Sequence, residues 1–144
     1  MSIYSENMML KAVAMLGKAR SLRRTSIHKS LKVLNEAVEL MNESIKMEPE
    51  NIENRKYRLR HLLGVTMNSP KSYIKIVDED LDFFKTRFDQ LNREDRSYYL
   101  AALGEYEIYK KNRDTGIKIL EDVINNYQET SFHEYVTVYL ESLR

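Results

Sequence analysis

The sequence predicts an all-α protein built of antiparallel helical hairpins, and three observations carry that prediction. Apolar residues recur at spacings of three and four along nearly the whole chain, which gathers them on one face of a helix with about 3.6 residues per turn. The 144 residues include only two prolines and four glycines, too few breaks for a chain of many strands and turns. The connections that carry capping or breaking residues are short, and short connections turn successive helices antiparallel. Seven helices are expected, as three antiparallel pairs plus one final helix, in one domain spanning 1–144.

The first helix is expected from about Tyr4 to Arg20, with Met9, Val13, Leu16 and Gly17 as its buried stripe and Gly17 allowing close helix approach. A polar, basic connector follows from Ser21 to Ser26, in which Thr25 or Ser26 can accept a hydrogen bond from the exposed amides that open the next helix. That second helix runs from about Ile27 to Met47. Leu34, Ala37, Met41 and Ser44 form one stripe on it, with Glu36, Glu39 and Glu43 beside them. Pro49 lacks an amide hydrogen and restrains Glu48, which stops the helix, and Asn51 is placed to cap the third.

On the third helix Arg55, Arg58 and Leu62 fall where a packed seam would bury apolar groups, with Leu59 and Leu63 alongside. Thr66 to Ser69 is expected as a loop, and Ser69-Pro70 as the cap and first position of a fourth helix. Ile74, Val77, Leu81, Phe84, Phe88 and Leu91 then give it a continuous apolar face. Asn92, with Asp95 three residues on, opens a fifth helix carrying Tyr99, Ala102, Leu103, Tyr106 and Tyr109 to about Lys111. After a turn at Asn112-Arg113, a sixth begins near Asp114 and buries Ile117, Leu120, Val123, Ile124 and Tyr127, with Gly116 at a close contact. Ser131 and Glu134 predict a capping box for the last helix, which presents Phe132, Tyr135, Val136, Tyr139, Leu140 and Leu143.

Composition narrows the function. Hydrophobic residues at 42% and charged residues at 31% fit a folded soluble protein rather than a disordered one. The absence of cysteine excludes disulfides, thiolate metal sites and cysteine nucleophiles. No run approaches the roughly 18 apolar residues of a membrane span, and Met1 to Lys11 lacks the apolar core of a signal peptide. A cytoplasmic protein with no membrane partner is expected. The net charge is only +1, yet Asn7 to Asn35 holds Lys11, Lys18, Arg20, Arg23, Arg24, Lys29 and Lys32 with no acid among them. Charge is therefore segregated along the chain.

Ala37, Met41, Ser44 and Pro49 sit where tetratricopeptide repeats place a small residue, a bulky apolar residue, a second small residue and the terminating proline. The sequence resembles that family here. Leu103-Gly104, then Asn112-Arg113-Asp114, Gly116, Leu120 and Val123, look like a degenerate second copy. It departs in lacking a terminal proline and in having the bulky Val123 where the family has a small residue. Asn51 to Arg58 together with Asn68-Ser69-Pro70 resemble a group of uncharacterised bacterial tetratricopeptide-like proteins. The resemblance implies helix pairs stacked as a right-handed superhelix, about three pairs with a C-terminal capping helix, enclosing a concave groove. It also implies that leading helices line that groove, which would place Lys11, Lys18, Lys56, Arg60, Tyr98 and Glu105 in it.

No catalytic constellation emerges. His28, His61 and His133 are far apart and lack the paired spacing of zinc ligands. Asp78, Glu79, Asp80 and Asp82 lack the glycine and alternation of a calcium loop and suit the first half of a helix through its dipole. Gly17, Gly64, Gly104 and Gly116 are isolated and form no phosphate loop, and no serine stands in a nucleophile elbow. No cofactor and no metal are expected. Most tyrosines follow helical spacing and suit a core with hydroxyls at its edge, whereas Tyr98 falls off that stripe and suits a groove.

The function expected is a non-enzymatic interaction module or scaffold that takes a peptide or partner segment, acidic or ending in a free carboxylate, in its groove. Nucleic-acid binding through 18–32 is the alternative, opposed by the near-neutral overall charge. Self-association as a homodimer is a third. Arg55 and Arg58 carry two readings: buried guanidinium groups paired with acids such as Glu36, Glu39 or Glu43, or groups that bind a ligand carboxylate directly.

Overall fold

The computed structural model of the protein describes residues 3–69 and 71–144. Seven α-helices and one 3-10 turn, with no strand, are found among them. The helices are α1 (Ile3–Leu22), α2 (Ile27–Met47), α3 (Ile52–Asn68), α4 (Ile74–Thr86), α5 (Arg93–Tyr109), α6 (Arg113–Asn126) and α7 (Phe132–Ser142), with the 3-10 turn at Phe88–Gln90. They fall into two compact units, residues 1–61 and 62–144, whose boundary lies inside α3.

In the first unit, α1 and α2 form an antiparallel hairpin. Ser5 near the start of α1 bonds Ser44 near the end of α2, while Ser30 Oγ donates to the Ala19 carbonyl at 2.6 Å. Ser26 accepts the Lys29 amide and so caps α2, as its position suggested. Ala37, Met41 and Ser44 are fully buried, as one packed stripe requires. Gly17 does not serve close approach. It is exposed, and a Cβ added there would meet nothing within 4 Å, because Met9, Ala12, Leu16 and Ala19 form the inner face instead. Asn51 accepts the Asn54 amide at 3.0 Å and caps α3. Asn54 then donates to Ser5 Oγ at 2.8 Å and Ser44 Oγ at 3.1 Å, joining three helices through one buried polar cluster.

The second unit differs from expectation at both ends of α4. Thr66 to Asn68 are helical, closed by Asn68 donating to the Gly64 carbonyl. The helix start expected at Pro70 lies outside the described residues, but α4 itself begins only at Ile74, and Tyr73 donates its amide to Thr66 Oγ1 at 3.0 Å. At its other end α4 stops at Thr86 rather than running to Leu91. Arg96 donates to the Phe88 and Asp89 carbonyls at 3.0 and 2.8 Å, holding the chain in the 3-10 turn. Asn92 caps α5 as expected, accepting the Asp95 amide at 2.8 Å.

The α5–α6 crossing is closed by two glycines. A Cβ on Gly116 would stand 2.5 Å from Ile108 Cγ1 and 2.7 Å from the Gly104 carbonyl oxygen, and one on Gly104 would stand 2.5 Å from Leu120 Cδ2. Between these helices Lys111 takes the left-handed conformation, φ 74°, so that the Asn112 amide reaches the Glu107 carbonyl at 2.8 Å. The capping box at Ser131 and Glu134 does not form. Ser131 is helical in backbone and gives both its amide and its hydroxyl to Glu94 on α5. Val136 and Leu140 carry the buried face of α7, packed with Leu120, Val123 and Tyr127, while Tyr135 is exposed.

Candidate functional site

The acid-free stretch of the sequence puts its cations on the outer surface of the α1–α2 hairpin. Lys11, Lys18, Arg20, Arg23, Arg24, Lys29 and Lys32 are all exposed, because each lies off the stripes that α1 and α2 bury against each other. Ile27 and Leu31 stand among them, 51% and 38% exposed. The chain thus presents cations and apolar side chains together at one end of the hairpin.

On α3, Arg60 is exposed and Lys56 is half-buried beside Glu53, its Nζ 3.4 Å from the carboxylate. His61 is pushed below the usual histidine range by burial, then by the Arg60 and Arg20 guanidinium groups. Arg20 is therefore the α1 cation that shares a field with α3. Lys11 and Lys18, seven residues apart, share a different strip of α1, since nine residues from Lys11 to Arg20 is about two and a half turns. Lys11 and Lys18 therefore lie off the strip of α1 that carries Arg20.

Arg55 and Arg58 are both buried. Arg55 reaches back along the chain, donating through Nε and a terminal nitrogen to the Pro49 carbonyl at 3.3 Å, which ties the turn after α2 to α3. Arg58, only 3% exposed, donates to Asn42 Oδ1 at 2.9 Å. Glu36, Glu39 and Glu43, the acids expected near these groups, are exposed on the outer face of α2. Both guanidinium groups are thus engaged within the first unit.

Tyr98 was expected to offer its ring to a groove and does not. It is 5% exposed, edge-on to Phe84 at 5.9 Å and to Phe132 at 5.4 Å, because α4 and α7 both pack on that side of α5. Glu105 is half-buried and accepts a hydrogen bond from Tyr135; burial raises its pKa above the usual carboxylate range and that bond opposes the rise. Sequence reasoning missed Leu31 as an exposed apolar group, though it lies among cations four residues after Ile27. Among the described residues no group of three His, Asp or Glu side chains could hold a metal ion. None of the described helices is long and apolar enough to cross a membrane. No family model, curated protein or solved structure matches the chain.

Proposed function

We propose that the protein is a non-enzymatic interaction module, a scaffold of tetratricopeptide-like helix pairs, whose α1–α2 hairpin takes an acidic segment of another protein. One observation carries this reading: seven cations, uninterrupted by any acid from Asn7 to Asn35, all stand exposed on a single hairpin. Such a surface attracts and orients an anionic partner. Ile27 and Leu31 favour a protein partner over a nucleic acid, since apolar side chains add contact area to a peptide and nothing to a phosphate backbone. The burial of Arg55, Arg58 and Tyr98 leaves the exposed cations as the ligand-facing groups in this reading, with Arg60 beside them.

The test is fluorescence anisotropy with two labelled probes, a Glu- and Leu-rich peptide and a single-stranded oligonucleotide, titrated at low and physiological salt. The peptide is expected to bind, and Lys29→Glu with Lys32→Glu is expected to weaken it about tenfold or more. Tight oligonucleotide binding with a steep loss in salt, and no peptide binding, would transfer the hairpin to nucleic acid. Binding of neither probe at low salt would remove the proposal.

A further inference from the structure

The side of α1 turned away from α2 is unlike the outer face of an ordinary surface helix. Ile3, Asn7, Leu10, Ala14, Gly17 and Ser21 all lie on it, all are exposed, and none is charged. Their spacings alternate four and three over the whole helix, the period with which one helix packs along another. Helices that face water normally carry charge there, and α1 places its charges elsewhere: Glu6 and Arg20 along one flank, Lys11 and Lys18 along the other. Ile3 is 73% and Leu10 43% exposed, and the space around Gly17 is open.

The order of residues within the face identifies what fits it. Larger side chains occupy its first half and small ones its second. A second α1 laid antiparallel would set Ile3 against Ser21 of the second copy, Asn7 against Gly17, and Leu10 against Ala14, a large group facing a small one in every layer. The flanks agree in charge. Glu6 would meet Arg20 of the second copy, and Tyr4, which is 67% exposed, would meet Lys18. Each favourable pair occurs twice by symmetry, against a single Lys11–Lys11 approach near the axis. A parallel pairing would instead put Leu10 on Leu10 and leave Gly17 facing Gly17. Ser21 already donates its hydroxyl to the Gly17 carbonyl, so it brings no unmet donor to the seam.

We propose that α1 pairs antiparallel with α1 of a second copy through this face, making the protein a two-fold dimer. The interface is isologous: one patch, complementary to itself under the two-fold operation. It engages Lys11, Lys18 and Arg20 at its flanks and leaves Arg23, Arg24, Lys29 and Lys32 open to an acidic segment, so it does not depend on that binding.

Two experiments test it on the full chain. Light scattering from about 1 μM to about 1 mM should show a dimer of twice the 17.1 kDa chain mass at high concentration. Leu10→Glu, which puts a charge into the seam at an exposed position, should weaken dimerisation about tenfold or more while leaving the helical circular dichroism unchanged. Because the chain has no cysteine, Ile3→Cys and Ser21→Cys chains can be mixed and oxidised. Mixed disulfides between the two variants should dominate over like-with-like products. A monomer across the whole range, a dimer indifferent to Leu10→Glu, or preferential Ile3→Cys self-linkage would each overturn the proposal, and the cross-linking arm decides even if Leu10→Glu unfolds.

Discussion

The two units solve the same problem, packing helices against helices, with different chemistry. The first is joined by polar groups: Ser5, Ser44 and Asn54 are almost wholly buried and bonded to one another, and the buried Arg55 and Arg58 bond the Pro49 carbonyl and Asn42. The second is joined by rings and by close approach. Phe83, Phe84, Tyr98 and Tyr99 meet edge to face or tilted across α4 and α5, Tyr106 donates its hydroxyl to Asp78 of α4, and Gly104 and Gly116 bring α5 and α6 into backbone contact. Hydrogen bonds specify partners by direction and tolerate some volume change. Interlocked surfaces specify by volume and tolerate almost none.

The largest effect is therefore expected at Gly116. Alanine at a helix interior ordinarily gains about 1 kcal/mol over glycine from backbone entropy, so the crossing must overcome that gain. It should: the Cβ would meet the Gly104 carbonyl, a backbone atom that moves only if α5 moves. With the larger Gly116→Val, destabilisation of about 3 kcal/mol is expected, at the upper end of overpacking costs. Gly17→Ala in the first unit is the control, with open space around it and a stability gain of about 0.5–1 kcal/mol expected. Chemical denaturation of both variants measures the pair, and equal shifts would erase the distinction between the units.

A smaller loss is expected from Asn54→Leu. The substitution removes the amide that donates to both Ser5 Oγ and Ser44 Oγ and puts a branched apolar chain in its place. The serines still bond each other, Ser44 Oγ to the Ser5 carbonyl at 2.8 Å, so the loss is that of a network member rather than of the whole network. About 1–2 kcal/mol is expected from denaturant melts. If Asn54→Leu proves neutral, the cluster is a tolerated polar inclusion and packing, not hydrogen bonding, joins the first unit.

What was legible in the sequence follows the same division. Ile27–Met47 was readable to the residue, because Ser26 and the Pro49 stop act locally on the backbone. The caps at Asn51 and Asn92 were readable for the same reason, whereas the close contact at Gly116 is made across to α5 and was signalled by a glycine on a helical stripe, a signal that failed at Gly17. The end of α4 was not readable: its apolar period runs on through Phe88 and Leu91, while the Arg87 side chain donates to the Phe83 carbonyl and Arg96 to those of Phe88 and Asp89, bonds that no periodicity announces. The Ser131 cap failed likewise, drawn off by Glu94, 37 residues earlier. Of the candidate site, the exposed cations were visible as a charge pattern. Tyr98 was not placed, because one helix's periodicity does not reveal that two other helices cover its second side.

The smallest expected effect uses pH to set one half-buried group in each unit against the other. In the first, burial and then the Arg60 and Arg20 charges hold His61 below its ordinary 6.5. The folded state then binds this proton less readily than the unfolded chain, so stability rises with pH through the interval between the folded value and 6.5 and is lost as pH falls through it. In the second, burial outweighs the hydrogen bond from Tyr135 and raises Glu105 above 4.5. Here the folded state binds the proton more readily, so stability is greatest when Glu105 is protonated and falls as pH rises from 4.5 through the raised value. Burial disfavours charge at both sites, and the slopes differ in sign only because one group gains charge with a proton and the other loses it. Thermal melts from about pH 4 to about pH 7.5 should therefore respond oppositely to two substitutions. His61→Gln should remove a rising contribution, and Glu105→Gln a falling one. A His61→Gln profile parallel to the parent would mean that neither burial nor the Arg60 and Arg20 charges lower His61, and the shared positive field of the first unit would go with it.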